Sequence, residues 1–183
     1  MKYVLSLVLV FLVGCGGSGS KDVVKVKKRI SPEIVNGYVL PPMPDKKLND
    51  ATLKGIDSND NGIRDDVERE LYQDKFLFKN KKTQKVLVTK LKKQQYILEH
   101  GLTRKEATKE AKESIEIVNC LDGDTLRQYM NIKYKYRDFL LNTPERIKKY
   151  VSNVNKAHQS DLFSTITKKY SEADCKIILK DIN

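Results

Sequence analysis

Asp57-Ser58-Asn59-Asp60-Asn61-Gly62-Ile63-Arg64-Asp65-Asp66-Val67-Glu68 is the stretch at which this chain changes character. Before it the sequence is broken by glycine and proline. After it apolar residues return every three to four positions, the period of an amphipathic helix. Within the twelve, oxygen-bearing side chains stand at positions 1, 3, 5, 9 and 12, with glycine at 6. Oxygens so spaced on a tightly turned backbone suit a hard cation, which takes six to eight oxygen donors. Asp57, Asn59 and Asn61 supply three and the carbonyl of Ile63 another; Asp65 binds directly or through water, and Glu68 closes the shell with both its oxygens. Gly62 permits the sharp turn that a side chain resists. A plainer reading stays open: Asp-Asn-Gly clusters make ordinary turns, and Asp65-Asp66 suit the first turn of a helix through its dipole.

Over these twelve residues the chain resembles EF-hand-like calcium loops, including those of thrombospondin-type repeats and dockerins. The resemblance implies calcium as the ion, with Asp60 and Asp66 at non-ligand positions adding only negative field. Two departures matter. Arg64 stands at position 8, where paired EF-hands carry an aliphatic residue that bridges to a partner loop, and no second loop exists, since Asp122-Gly123-Asp124 lacks the later ligands. Lys47 to Gly55 is also too brief for a full entering helix. The expectation is a solitary site and an exiting helix, a structural clip with a dissociation constant of roughly 0.1 to 1 mM. At about 1 mM calcium such a site stabilises the fold by about 0.4 to 1.4 kcal/mol.

The amino terminus reads as an address. Lys2 is followed by an apolar run from Val4 to Val13, too short to span a bilayer but suited to a signal peptide core. The run ends in Leu12-Val13-Gly14-Cys15, which resembles the lipobox of bacterial lipoproteins. That resemblance implies a signal peptide over 1–14, cleavage before Cys15, and acylation of Cys15, palmitate included, as a membrane anchor in the bacterial cell envelope. Gly16, rather than aspartate, after the cysteine favours the outer membrane if the cell is Gram-negative. Residues 15–46 read as a tether, glycine- and serine-rich at Gly16 to Ser20 and proline-rich at Pro41 to Pro44. With Cys15 lipidated, Cys120 and Cys175 remain as an even pair in an oxidising compartment. A disulfide between them closes a loop of roughly 55 residues and stabilises by roughly 4 kcal/mol on the chain-entropy account; two free structural thiols are the alternative.

Residues 47–183 read as one all-α domain, a small helical bundle opening with the calcium loop at 57–68. Val67, Leu71, Tyr72 and Phe76 share a face of the first helix, and Leu87, Leu91, Leu98 and Leu102 mark the second, stopped near Gly101. Thr103 with Glu106 forms a capping box before a stripe of Ala107, Ala111, Ile115 and Val118. A fourth helix points Leu126, Met130, Tyr136 and Leu140 inward. Thr143-Pro144 starts a fifth, with Ile147, Tyr150, Val151 and Val154 as its inward set, and a shorter sixth runs from about 161 to 170.

Charge and chemistry narrow the function. The chain holds 35 Lys and Arg against 24 Asp and Glu, a formal charge of +11. The lysines are spread along it without aromatic interleaving, and the secretory address argues against nucleic acid. Lys25 to Arg29, close after the anchor, either attracts anionic headgroups or belongs to an open linker. No enzyme is expected. His100 and His158 stand beside no nucleophile, Glu110 and Glu113 read as solvated ion-pair partners, and no phosphate loop, zinc helix or serine elbow occurs. The leading expectation is a membrane-anchored calcium-binding lipoprotein acting as a structural or interaction module, its partner an envelope protein or anionic glycolipid. The competing one is a polyanion binder whose basic helices grip lipopolysaccharide, anionic lipid or an acidic protein.

Overall fold

A computed structural model of the chain describes residues 32–157, 159–180 and 182. The expected signal segment 1–14, the expected lipidation site Cys15, the expected tether through residue 31, and His158 lie outside the described residues. The described chain is all-α apart from one two-stranded hairpin, β1 (Ile34–Val35) against β2 (Tyr38–Val39), antiparallel with Ile34 opposite Val39. Then come α1 (Lys46–Asp50), α2 (Asp65–Gln73), α3 (Lys75–Lys79), α4 (Lys81–His100), α5 (Arg104–Asn119), α6 (Gly123–Leu140), α7 (Pro144–Val154), α8 (Gln159–Thr167) and α9 (Glu172–Ile178).

The long α4 and α6 lie against each other and define the core. Leu87, Leu91 and Leu98 of α4 meet Tyr129, Tyr136 and Leu140 of α6, and Val67 and Leu71 of α2 complete the cluster. Each fully buried leucine contributes about 1.5–3 kcal/mol over an exposed one, so this seam supplies a large share of the hydrophobic stabilisation. Local signals set the helix starts as read. The Thr103 and Glu106 capping box is formed, and the Thr143 hydroxyl accepts the Arg146 N–H, with Pro144 in the first turn. Cys120 at the end of α5 is bonded to Cys175 in α9, with Cα atoms 5.1 Å apart.

Four expectations are corrected. The first helix is not continuous to Phe76. Asp74 takes an extended conformation and its carboxylate accepts the N–H groups of Phe76 and Leu77, ending α2 and capping α3. That break turns Phe76 outward and buries Leu77 instead. Leu102 lies beyond the end of α4, and on α6 Tyr129 rather than Met130 faces the core. On α7 the inward stripe is Arg146, Tyr150 and Asn153, whereas Ile147, Val151 and Val154 are 49, 47 and 52% exposed. Burial there follows hydrogen-bonding demand rather than hydrophobicity. Asn153 donates to the Ile97 carbonyl at the end of α4 and accepts the Leu102 N–H, while Arg146 serves the segment before the 57–68 loop.

The described end of the expected tether also departs from a free linker. Tyr38 stacks on Tyr72 with ring centroids 4.1 Å apart, and Asn36 donates to the Tyr72 carbonyl. Arg69 of α2 donates to the Pro41 carbonyl at 2.7 Å and pairs with Glu33. Leu40 is buried. Those contacts seat the hairpin on α2, so residues 33–46 are packed against the helical domain rather than forming a free linker up to 47. Among the described residues no helix is long and apolar enough to cross a membrane.

Candidate metal centre

The loop from Asp57 to Glu68 is folded by its own side chains. Asp57 accepts the backbone N–H of Asn61 at 3.2 Å on Oδ1 and that of Gly62 at 2.8 Å on Oδ2. Asn59 and Asn61 each accept the N–H two residues on, from Asn61 and Ile63. These are the Asx turns for which Asp and Asn are favoured in tight loops. Asp60 and Gly62 take positive φ, of 51 and 85 degrees. The loop closes where the Asp65 N–H reaches the Ile56 carbonyl and the Asp65 Oδ1 accepts the Ser58 N–H, both at 2.8–2.9 Å.

Glu68, one turn into α2, looks back across this loop. Its carboxylate accepts Asn59 Nδ2 at 3.1 and 3.4 Å and Asn61 Nδ2 at 2.8 Å. Asn59, Asn61 and Glu68 are thus in direct contact, and Asp57 and Asp65 are tied to the backbone on either side of them. Glu68 and Asp65 are both buried, and Asp65 Oδ2 has no hydrogen-bond partner among the described residues. A buried carboxylate oxygen without a donor is costly and calls for a cation or a water. Burial pushes the Glu68 carboxyl above the usual range; the Asn59 and Asn61 amides hold it down, and the fields of Asp65 and Asp57 add to the rise. Ionised Glu68 therefore works against the fold as pH rises through that raised value. A cation reverses that sign.

Two features limit the donor set. Asn59 and Asn61 present their amide nitrogens to Glu68, so ligation through their oxygens requires each amide to turn by half a revolution. Ile63 puts its side chain into the core, leaving only its carbonyl for an ion. Among the described residues, no group of three or more His, Cys, Asp or Glu side chains stands in metal-holding geometry. A cation in this loop depends on amide and backbone oxygens beside the acids.

What the sequence reading missed is the mounting of the loop. Arg64, which displaces the usual aliphatic residue, is fully buried. Its guanidinium pairs with Asp66 and donates to the carbonyls of Phe139 at 2.8 Å and Leu140 at 3.2 Å, which close α6. Asp66 is thus an ion-pair partner, and it also accepts from Asn49. Arg146 is the second fully buried arginine. It donates to the carbonyls of Asn49, Thr52 and Leu53 and to Asn142 and Asp50. Burial, and then the neighbouring Arg64, push the Arg146 guanidinium below its ordinary value, while Asp66 and Asp50 support its charge. The only hint in the sequence was an arginine where the loop pattern expects an aliphatic residue.

Gly55 marks how tightly this mounting is drawn. Its φ is +68 degrees, and a Cβ there would lie 2.2 Å from Arg64 Cδ and 2.9 Å from Arg146 Nη2. Gly55→Ala is expected to destabilise by about 2–4 kcal/mol, combining left-handed strain and overpacking. Gly62→Ala meets nothing closer than 3.8 Å and carries only the strain, about 1 kcal/mol. Urea unfolding of the two variants checks the ranking.

The other expected sites are simpler. His100 ends α4, with Nδ1 3.0 Å from the Tyr96 carbonyl and its ring stacked on Tyr96. Glu110 and Glu113 both pair with Lys93. No protein-family model matches the chain, and no curated protein or solved structure is similar enough to match it.

Proposed function

We propose that the chain is a lipid-anchored calcium-binding lipoprotein of the bacterial cell envelope, in the outer membrane if the cell is Gram-negative, acting as a structural or interaction module. The observation that carries the calcium reading is the convergence of Asn59, Asn61 and Glu68 beside the buried, donorless Oδ2 of Asp65. Calcium there would draw Asp57, Asn59, Asn61, the Ile63 carbonyl, Asp65 and Glu68 onto one centre. It would replace carboxylate repulsion with attraction and lock the start of α2 to the loop before it. The role is that of a clip without catalysis, Cys15 holds the protein at the membrane through its acyl chains, and the partner is another envelope component.

Calorimetric titration of calcium is expected to show one site, lost in Asp57→Ala and Glu68→Ala. Thermal melts give a second readout whose sign differs between conditions. In chelator, Glu68→Gln removes one of three crowded carboxylates and is expected to melt at or above the native chain. In about 1 mM calcium the order reverses, the native chain gaining about 0.4–1.4 kcal/mol. Silent calorimetry together with calcium-independent melts removes the proposal. The anchor is tested separately: incorporation of labelled palmitate should vanish in Cys15→Ser.

A second reading rests on α5, whose outer face carries Arg104, Lys105, Lys109 and Lys112 together with Glu113 and Glu116, Lys109 pairing with Glu113. Such a row suits an anionic glycolipid or an acidic protein surface. Binding to lipopolysaccharide through it should weaken steeply between about 50 and 300 mM salt and persist in chelator. Salt-insensitive binding removes this reading.

A further inference from the structure

The misread face of α7 borders a cleft that the calcium reading leaves unused. Between α4, α5, α7 and α8 lies a cavity of about 570 Å³, walled by Leu102, Ala107, Ala111, Val154, Ala157 and Leu162. It shares Gln94, Ser114 and Tyr150 with a second cavity of about 460 Å³ that reaches α6. Both volumes fall in the range of small-molecule sites. Of the polar groups in the first, Asn153 bonds to Ile97 and Leu102, and Glu110 pairs with Lys93 at 2.7 Å, while Gln94, Ser114 and Asn155 also line it. Its lining is more apolar than polar.

The second cavity has cationic walls. Lys90 of α4 lines it, is only 8% exposed, and makes no hydrogen bond or ion pair among the described residues. Lys133 and Arg137 of α6 stand in the same wall, flanking the Tyr134 ring at 4.8 Å each. The stem of Lys90 is buried while no anion is bonded to its ammonium, which leaves that charge able to meet an anion in the cavity. Glu110 and Glu113 pair with Lys93 and also favour the charged form of Lys90 through their field. Burial brings Lys90 down to about 8, with Glu110 and Glu113 holding it up and Lys93 opposing them, so it remains largely cationic near neutral pH.

We propose that this cleft binds a single-chain amphiphile with a carboxylate head, the tail lying toward Leu102 and Leu162 and the head toward Lys90, Lys133 and Arg137. Charge complementarity selects the head, and the two neighbouring cavities, one mostly apolar and one with a basic wall, suit a tail of one chain. The proposal does not depend on calcium.

The test titrates dodecanoate below its micelle concentration into the full chain carrying Cys15→Ser, with dodecyl maltoside and dodecyltrimethylammonium as neutral and cationic comparisons. Dodecanoate is expected to bind saturably with a stoichiometry of one. Lys90→Met keeps the aliphatic stem and is expected to weaken dodecanoate at least about tenfold while leaving dodecyl maltoside unchanged. Lys133→Gln and Arg137→Gln, at the more exposed part of the wall, should each cost less, about threefold. Ala111→Phe, filling the tail region, should abolish binding of both amphiphiles, with circular dichroism confirming that it folds. If it does not fold, a photoreactive dodecanoate should label α5, α7 or α8 in the unsubstituted chain. Three results overturn the proposal: no saturable binding, equal binding of all three head groups, or dodecanoate binding indifferent to Lys90→Met. A dimer that occludes the cleft would overturn it too.

Discussion

Arg146→Ala is expected to destabilise the domain by about 3–5 kcal/mol, the range for removing one partner from a buried charged network. The guanidinium is the donor for the carbonyls of Asn49, Thr52 and Leu53, and it partners Asp50 and Asn142. Without it those acceptors stay behind with Arg64 and Asp66. Arg146→Lys should recover only part of the loss, because a single ammonium cannot serve carbonyls spread over five residues as a planar fork does. Urea unfolding reads both variants. A loss below about 1 kcal/mol for alanine would mean that the segment 49–53 is held by something else. On the calcium proposal, affinity for the ion should fall in the same variants, because Asn49 also fixes the Ile56 N–H one residue before the loop.

Cys120→Ser is expected to cost roughly 4 kcal/mol, the chain-entropy figure for a loop spanning 55 residues. The loss should not be uniform. α9 contains no fully buried residue, its Ile178 is only partly buried against the core, and among the described residues beyond it Leu179 and Ile182 are the buried ones. Hydrogen exchange should therefore show α9 opening first in the variant, while the α4 and α6 seam keeps its protection. Reductant added to the unsubstituted chain should reproduce the pattern. Uniform acceleration across all helices would show the cross-link to be acting on the whole bundle instead.

The parts of this fold that were legible in the sequence are those decided within one turn of chain. The capping box at Thr103 and Glu106, the Thr143-Pro144 start, and the stop near Gly101 are local hydrogen-bond problems with few solutions. The Asx turns of the loop belong to the same class, which is why Asp57, Asn59 and Asn61 curl as their spacing implied. The break at Asp74 was equally local, yet the apolar period running from Leu71 to Phe76 hid it.

Non-local demands were not legible. The inward face of α7 is chosen by the carbonyls of residues 49–53 and the end of α4, which no window of neighbouring residues contains. Hydrophobicity pointed to Ile147, Val151 and Val154, and the unmet acceptors pointed to Arg146 and Asn153. An unpaired buried carbonyl costs about 1–3 kcal/mol, comparable with burying one aliphatic side chain, so either face was affordable and the acceptors decided. The candidate site divides in the same way. The turn-forming residues of its loop were readable, whereas Arg64, Asn49 and Arg146, which hold it against the bundle, were visible only in three dimensions.

The seating of the hairpin has a mechanical consequence. Glu33 and the Pro41 carbonyl are both held by the single guanidinium of Arg69, at opposite ends of the β1–β2 hairpin. Tension arriving at residue 32 is borne by that side chain and the Tyr38–Tyr72 stack before it reaches α1 or the turn ahead of α2. For a chain anchored as proposed, Arg69 would act as a strain relief: a tug from the amino-terminal side would be shunted into the middle of a rooted helix, and the oxygen cluster downstream spared the load.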